Sequence, residues 1–321
     1  MEDATPVPTL SAELEALLDE ADAYAEGDLA VRTKEAYGRH WAAFLAWCRE
    51  QGVPKLPAAP QVIRGYLVHR SKRNCRVATI SLDLSALVHH HKAHGFADPT
   101  AHPSVGRTWL GIRKKLGTAQ AQKAPATTEV VRTMLGGLPE GLLGVRDRAL
   151  LTVGFAGGFR RSELVGLDLA HLRFVRGAGL EATVVRSKTD QTGAGFVKEI
   201  AYGSDPDTCP VRAVKEWLKL AAIQEGAVFR SVNRHGQVSN ARLSAQTVRL
   251  IVKRALDAAG VSSDAYSAHS LRAGLVTSAK ERGIDDAAIM KVTGHRSLQT
   301  MHNYDRRAKR WKDPASGKLG L

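Results

Sequence analysis

The stretch GHRSLQTMHNY, residues 294–304, organises the second half of this chain and indicates its chemistry. It places His295 nine residues before Tyr304, near the end of a very basic sequence. A phenol has a pKa of about 10, so a tyrosine is a weak nucleophile at neutral pH without a proton acceptor or a strong cationic field. The spacing alone is weak evidence, because His and Tyr occur at such distances by chance. The rest of the chain decides whether Tyr304 has the groups that an attack on a phosphate requires.

The charge of the chain predicts a polyanionic partner. The 321 residues carry a formal net charge of +14, with a pI of about 9.9, and they suffice for two domains. Residues 1–30 contain nine carboxylates and no lysine or arginine, so the other 291 residues carry about +23. A membrane surface, RNA and DNA all suit such a charge, but no basic amphipathic membrane helix is evident. The composition therefore favours a nucleic acid.

Other features of the composition indicate a soluble protein of the cytoplasm. Three cysteines, Cys48, Cys75 and Cys209, lack the spacing of a metal site or of a disulfide framework. The acidic N-terminus is unlike a signal peptide, and no apolar run approaches the length of a membrane span. We therefore expect a cytoplasmic protein without a membrane partner.

Residues 1–122 are expected to form an all-helical domain that begins with an acidic segment over residues 1–30. The spacing of apolar residues predicts helices, the second of them with Thr33 as its N-cap. These helices cover residues 11–25, 33–52, 61–71, 79–94 and 104–116. The segment 117–127 is small, polar and contains proline, as linkers do, so we place a domain boundary near residue 122.

Basic residues cluster at the ends of these predicted helices, which favours contacts with phosphates over simple solvation. The candidates are Arg70, Lys72, Arg73, Lys92, Arg113, Lys114 and Lys115. The consecutive histidines at 89–91 suggest a metal, but adjacent helical residues point about 100° apart and converge poorly on one ion. We therefore expect no metal site.

The following segments carry cationic side chains at places that suit an anion. An apolar helix over residues 147–155 leads into two glycines and then Arg160 and Glu163, at the start of another helix. Two β-rich stretches within residues 181–200 predict a hairpin whose polar tip carries Lys188.

The last predicted helices add more basic residues. Residues 244–260 form a helix between a serine cap and a glycine stop, and its polar face carries Arg249 and Lys253 as candidates for insertion into a nucleic-acid groove. His269 and Arg272 are three residues apart at a helix start, so both side chains can reach one phosphate.

Six residues occur in the order and approximate spacing of the catalytic positions of the tyrosine recombinase, or phage integrase, family. They are Arg160, Lys188, His269, Arg272, His295 and Tyr304. The motifs Arg-Arg-Ser-Glu-Leu (160–164), Ser-Lys-Thr-Asp-Gln (187–191) and His-Ser-Leu-Arg (269–272) resemble the boxes of that family. Each motif is weak alone, but together they are specific. The family commonly has Gly-His-Ser-Ser where this chain has Gly-His-Arg-Ser (294–297).

The resemblance implies a mainly α fold with two domains. Residues 1–122 would form an all-helical core-binding domain that contacts DNA. Residues 123–321 would form an α+β catalytic domain with a small antiparallel sheet, and 305–321 a C-terminal tail. The resemblance further implies double-stranded DNA with specific recombination sites as partner, a homotetramer, passage through a Holliday junction, and no cofactor. Integration, excision and resolution of DNA are all compatible outcomes.

The resemblance also implies roles that the physical chemistry supports. Tyr304 would attack a phosphodiester, forming a 3′-phosphotyrosyl link and releasing a 5′-hydroxyl. Arg160 and Arg272 would present forked donors to the non-bridging oxygens, and His295 would donate a further hydrogen bond.

The resemblance assigns proton transfer to two further residues and support of the arginines to a third. His269 would act as base or proton carrier towards the phenol, Lys188 would protonate the leaving oxygen, and Glu163 would support the arginines. A type IB topoisomerase uses similar chemistry as a monomer, but the small helical domain and the hairpin motif argue against it. A non-catalytic DNA-binding protein would not need all six positions. A metal-dependent nuclease is disfavoured because no carboxylate cluster is placed for two ions.

Overall fold

The chain divides into two units, Met1–Ala121 and Gln122–Leu321. The structure, a computed structural model, describes residues 29–117, 123–185 and 195–295, together with Leu17, Glu20 and Ser297. The helix predicted over residues 11–25 lies almost wholly outside the described residues. Within the described part of the chain, no helix combines the length and the apolar character that a membrane crossing requires.

Helices make up the described part of the first unit, as predicted. They are α1 (Val31–Gln51), α2 (Pro60–Lys72), α3 (Val77–Ala93) and α4 (Pro103–Leu116). Proline occupies the first position of α2 and of α4, where its missing N–H costs nothing. The core is aromatic: the Tyr66 ring centroid lies 5.1 Å from that of Phe44 and 5.3 Å from that of Trp47.

A buried carboxylate joins three helices of this unit. Asp83 on α3 is almost fully buried, and its Oδ2 accepts a hydrogen bond from Arg70 Nε of α2 at 2.8 Å. Its Oδ1 lies 2.6 Å from His40 Nδ1 of α1. A buried charge without such partners costs several kcal/mol, so this contact supports the helical packing.

The start of α1 differs from the prediction that Thr33 is its N-cap. The helix begins at Val31 with Ala30 as N-cap. The amides of Thr33 and Lys34 already donate to the Ala30 carbonyl, at 2.7 Å and 3.1 Å. Thr33 is therefore inside the first turn, and the preference of threonine for caps was misleading here.

The second unit mixes helices with two small antiparallel sheets. Its helices are α5 (Thr128–Gly136), α6 (Gly141–Ala156), α7 (Arg161–Val165), α8 (Pro210–Leu220), α9 (Ala245–Ala258), α10 (His269–Glu281) and α11 (Asp286–Thr293). Its strands are β1 (Leu172–Val175), β2 (Gly179–Val184), β3 (Phe196–Ala201), β4 (Arg230–Val232) and β5 (Val238–Arg242). The mainly α fold with small antiparallel sheets is as predicted.

The predicted hairpin is the β2–β3 pair of a three-stranded sheet with order β1-β2-β3. Val184 lies opposite Phe196, and Gly179 lies opposite Ala201. Burial alternates along β3, so Lys198 and Ile200 face inwards between exposed neighbours. The sheet therefore directs a lysine into the interior.

Helix α10 is buried along most of its length and carries Arg272 into the core. Gly274 permits this close packing, because a Cβ there would lie 1.7 Å from the Ala126 carbonyl oxygen. Leu271 belongs to the main hydrophobic core of the unit. The guanidinium of Arg272 is thus held by a rigid element, with 1% of the residue exposed.

Candidate active site

Side chains from four elements meet on one side of the second unit. Arg160 and Glu163 come from the start of α7, His269 and Arg272 from the first turn of α10, and His295 from the residues after α11. Lys198 of β3 lies beneath them. Hydrogen bonds and electrostatic effects connect all six residues.

The turn before α7 is built from glycine. Gly158 has φ +53°, and a Cβ there would lie 2.7 Å from Leu275 Cδ2. Arg160 follows as the N-cap residue of α7. Its backbone N–H donates to Glu163 Oε2 at 2.9 Å, and its Nη1 donates to Glu163 Oε1 at 2.5 Å. The buried Glu163 carboxylate therefore orients both the main chain and the guanidinium of Arg160.

Arg272 connects this turn to His295. Its Nη1 donates to the Gly158 carbonyl at 2.7 Å, and its Nη2 lies 3.0 Å from His295 Nε2. A guanidinium only donates hydrogen bonds, so Nε2 is the acceptor. His295 Nδ1 lies 2.7 Å from Thr293 Oγ1, which in turn donates to the Ile289 carbonyl at 2.8 Å.

These directions determine the tautomer of His295. Nδ1 carries the proton and donates to Thr293, whereas the Nε2 lone pair faces Arg272. Burial, followed by the charges of Arg272 and Arg160, lowers the pKa of His295 to about 4. The DNA-free site therefore holds a neutral imidazole. A hydrogen bond from Nε2 to a phosphate, the role predicted for His295, requires a proton at this nitrogen.

Burial and the positive charges of Arg272 and Arg160 act together on the other titratable groups of the site. Burial and then the charges of Arg272 and Arg160 lower the pKa of His269, although much of this residue is exposed at the rim. Burial lowers the pKa of Lys198 to about 7, against an opposing effect of Glu163. A bound anion offsets the part of these shifts that comes from Arg272 and Arg160, so the arrangement suits a phosphate.

Lys198 was not predicted as a member of the site. The sequence contains only part of a signal: Phe196, Lys198 and Ile200 share one face of a strand, but Val197 on the other face is apolar as well. Lysine is almost never fully buried without partners. A lysine that faces the interior therefore indicates a structural or functional role.

Two predicted catalytic residues, Lys188 and Tyr304, lie outside the described residues. The predicted DNA-contacting residues are distributed over both units. Lys72, Arg73, Lys92, Arg113, Lys114, Lys115 and Arg249 are exposed. Arg70 is bonded to the buried Asp83, and Lys253 lies 3.5 Å from Asp264. These DNA contacts stay predictions.

The consecutive histidines of α3 contribute to packing. His91 is buried, with Nδ1 donating to the Leu87 carbonyl at 2.7 Å and Nε2 accepting from the Ala58 amide at 3.0 Å. The His90 ring stacks on Trp41 at 4.5 Å. Among the described residues, no group of three His, Cys, Asp or Glu side chains is arranged to hold a metal ion.

Titration of His295 by NMR is expected to give a pKa of about 4 in the free protein. Bound DNA is expected to raise this pKa, because a phosphate offsets the field of Arg272 and Arg160. The unfolded chain, with a histidine pKa of about 6.5, binds more protons between pH 4 and 6.5. The free energy of unfolding should therefore rise with pH across that window. The His295→Asn variant identifies the His295 resonance, and it should lack the part of the pH dependence of the free energy of unfolding that His295 contributes. A pKa near 6.5 for His295 in the free protein would contradict the contacts that its ring makes with Arg272 and Thr293.

The chain is similar to known proteins in sequence and in fold. Residues 126–310 match the model of the phage integrase family. The chain is 36% identical over 299 residues to an integrase/recombinase xerD homolog of Selenomonas ruminantium, covering 92% of this chain and 87% of the relative. The fold is similar to that of a lambda integrase dimer bound to a COC′ core site, with TM-score 0.59, 16% identity and coverage of 92% and 77%. It is also similar to a lambda integrase tetramer bound to a Holliday junction, with TM-score 0.57, 17% identity and coverage of 88% and 77%.

Proposed function

Because the chain belongs to the phage integrase family, we propose that Arg160, Arg272 and His295 form the pocket for the scissile phosphate of DNA. The protein is a tyrosine recombinase, an enzyme that cuts and rejoins DNA strands at specific sites. The observation that carries the proposal is the contact of Arg272 with both the Gly158 carbonyl and His295 Nε2. It brings the segments that carry Arg160, Arg272 and His295 together.

Tyr304 is the proposed nucleophile, and the family match includes it, since that match extends to residue 310. The phenol oxygen forms a bond to phosphorus while the bond from phosphorus to the 5′-oxygen breaks. The phenol proton passes to His269, whose lowered pKa keeps it neutral and able to accept. Lys188 protonates the departing 5′-oxygen. The reverse reaction with another 5′-hydroxyl rejoins the strand without ATP.

The arginines stabilise the pentavalent state. Each guanidinium presents planar donors that match phosphate oxygens, and no reorganisation is needed where the donors are already held. Glu163 holds Arg160 through two hydrogen bonds. A phosphate next to Arg272 also raises the pKa of His295, and the imidazolium then donates to a non-bridging oxygen. Protonation of His295 is thus coupled to phosphate binding.

Both units are proposed to contact DNA. Residues 1–122 act as the core-binding domain and carry the exposed basic residues of α2, α3 and α4, and residues 123–321 act as the catalytic domain. Four copies are proposed to assemble on two recombination sites and to pass through a Holliday junction. Support for the assembly comes from the similar lambda integrase structure, which is a tetramer bound to such a junction. A cytoplasmic location is proposed, since the relative named above is bacterial.

The test begins with the DNA site. Wild-type protein is incubated with fragmented bacterial DNA, covalent complexes are trapped by denaturation, and the attached DNA is sequenced. A plasmid with two copies of the recovered sequence is expected to recombine, and a plasmid without it is expected to stay unchanged. Relaxation of supercoils on both plasmids without exchange of strands would instead indicate a topoisomerase.

A further inference from the structure

Lys198 is a lysine in the interior of the second unit, and its hydrogen bonds lead to the two turns that carry Arg160 and His295. The residue has 0% exposure, and its Nζ donates to two main-chain carbonyls, Gly157 at 2.8 Å and Val292 at 2.6 Å. The ammonium also lies 4.8 Å from the Phe159 ring centroid and 4.9 Å from that of Phe196. Two aromatic faces and two carbonyls offset the cost of burying this charge.

The first carbonyl belongs to the turn that positions Arg160. Gly157 and Gly158 are adjacent in that turn, and their carbonyls are held by Lys198 and Arg272 respectively. Phe159, whose ring lies against the ammonium, is the residue directly before Arg160. Lys198 and Arg272 therefore hold two adjacent carbonyls of the same turn.

The second carbonyl belongs to the end of the helix that leads to His295. Val292 lies in the last turn of α11, where carbonyls lack a partner within the helix and a cation is favourable. The chain then turns at Gly294, with φ +68°. A Cβ on Gly294 would lie 3.1 Å from the Phe196 ring. Both Phe196 and Lys198 of β3 thus shape the approach to His295.

We propose that Lys198 is a positioning residue for DNA cleavage, which holds the Arg160 turn and the His295 turn at a fixed separation by bonding both of their carbonyls at once. The inference rests on the proposed function of the pocket. The segments that Lys198 joins are 135 residues apart in sequence. We do not assign Lys198 as the proton donor to the leaving oxygen, because its Nζ donates to two main-chain carbonyls.

The charges around Lys198 agree with this role. Glu163 and Arg160 face it from α7, Arg272 faces it from α10, and His295 lies beyond α11. Burial lowers its pKa to about 7, but a neutral amine still has two N–H groups for its two carbonyls. The two contacts are therefore compatible with either protonation state, and a bound phosphate favours the charged one.

Lys198→Met tests the proposal, because methionine fills a similar volume without a donor. The readouts are the single-turnover rate of covalent complex formation on a nicked duplex carrying the recovered site, and the Kd for that duplex. The rate is expected to fall about 10²-fold, as displacements of about 1 Å do, with Kd changed less than about threefold. Lys291→Met is the matched control, since exposed Lys291 of α11 also bridges to β3, at 3.0 Å from Glu199 Oε2.

A double-mutant cycle separates positioning from general loss of structure. If Lys198 acts through His295, the double variant Lys198→Met/His295→Ala should lose less cleavage rate than the product of the two single fold reductions. Fully multiplicative effects overturn the proposal, as does a Lys198→Met rate equal to that of Lys291→Met. If Lys198→Met fails to fold by thermal unfolding, Lys198→Gln replaces it in the same cycle. Failure of both to fold assigns Lys198 to stability alone. Absence of a covalent complex with wild-type protein would instead contradict the proposed function.

Discussion

Replacement of Arg272 with alanine is expected to lower the rate of covalent complex formation by about 10³-fold or more. Removing one preorganised donor to a developing oxyanion costs about 10²- to 10³-fold. Arg272 does more than this, because it also holds the Gly158 carbonyl and His295 Nε2. The loss combines a missing phosphate contact with a displaced turn and a displaced imidazole. Single-turnover cleavage of a nicked duplex measures it directly.

Two variants make the Arg272 result interpretable. Arg272→Lys keeps the charge without the planar fork, so the rate should still fall by about 10²-fold. Arg282→Ala is the matched control, because Arg282 lies at the end of the same helix and donates to Thr128 Oγ1 at 3.1 Å, away from the pocket. Thermal unfolding of each variant shows whether it is folded. If folded Arg272→Lys cleaves as fast as wild type, forked recognition of the phosphate is wrong.

Tyr304→Phe is expected to reduce the covalent complex by about 10⁴-fold or more, below detection on the suicide duplex, since the nucleophilic oxygen is absent. Binding to the same duplex should stay within about threefold of wild type, because a phenyl ring retains the shape of the side chain. Tyr202→Phe is the control: the Tyr202 hydroxyl accepts from Lys215 Nζ at 2.8 Å and is given no part in cleavage. A Tyr304→Phe enzyme that still forms the complex would require another nucleophile.

Much of the fold was predictable because the period of a helix is visible in the spacing of apolar residues along the sequence. Helix α9 shows this best: apolar residues at helical spacing follow Ser244, whose side chain caps the amide of Thr247. The β2–β3 hairpin was predicted from its residue types and confirmed by its pairing. Strands β1, β4 and β5 were missed, since they have three to five residues, too few for alternation to be distinctive. Helix α8, which begins at Pro210, was also missed.

The sequence proposed several members of the candidate site but not the electrostatic effects between them. Sequence order indicated Arg160, His269, Arg272 and His295, whereas only tertiary contacts show that Nε2 of His295 accepts from Arg272. That contact changes the expected chemistry, since the histidine must gain a proton before it can donate. Lys198 was missed for a similar reason. Lysine is usually solvated. The residues next to Lys198 in sequence do not show that two distant carbonyls accept hydrogen bonds from its Nζ.

The central claim is that Tyr304 becomes covalently attached to DNA in the pocket of Arg160, Arg272 and His295. The most direct measurement is mass spectrometry of the peptide that remains linked to DNA after the wild-type complex is trapped and digested with protease and nuclease. We expect a single modified peptide with the nucleotide on Tyr304, attached through the 3′-phosphate. A nucleotide on any other side chain, or a linkage through a 5′-phosphate, would contradict it.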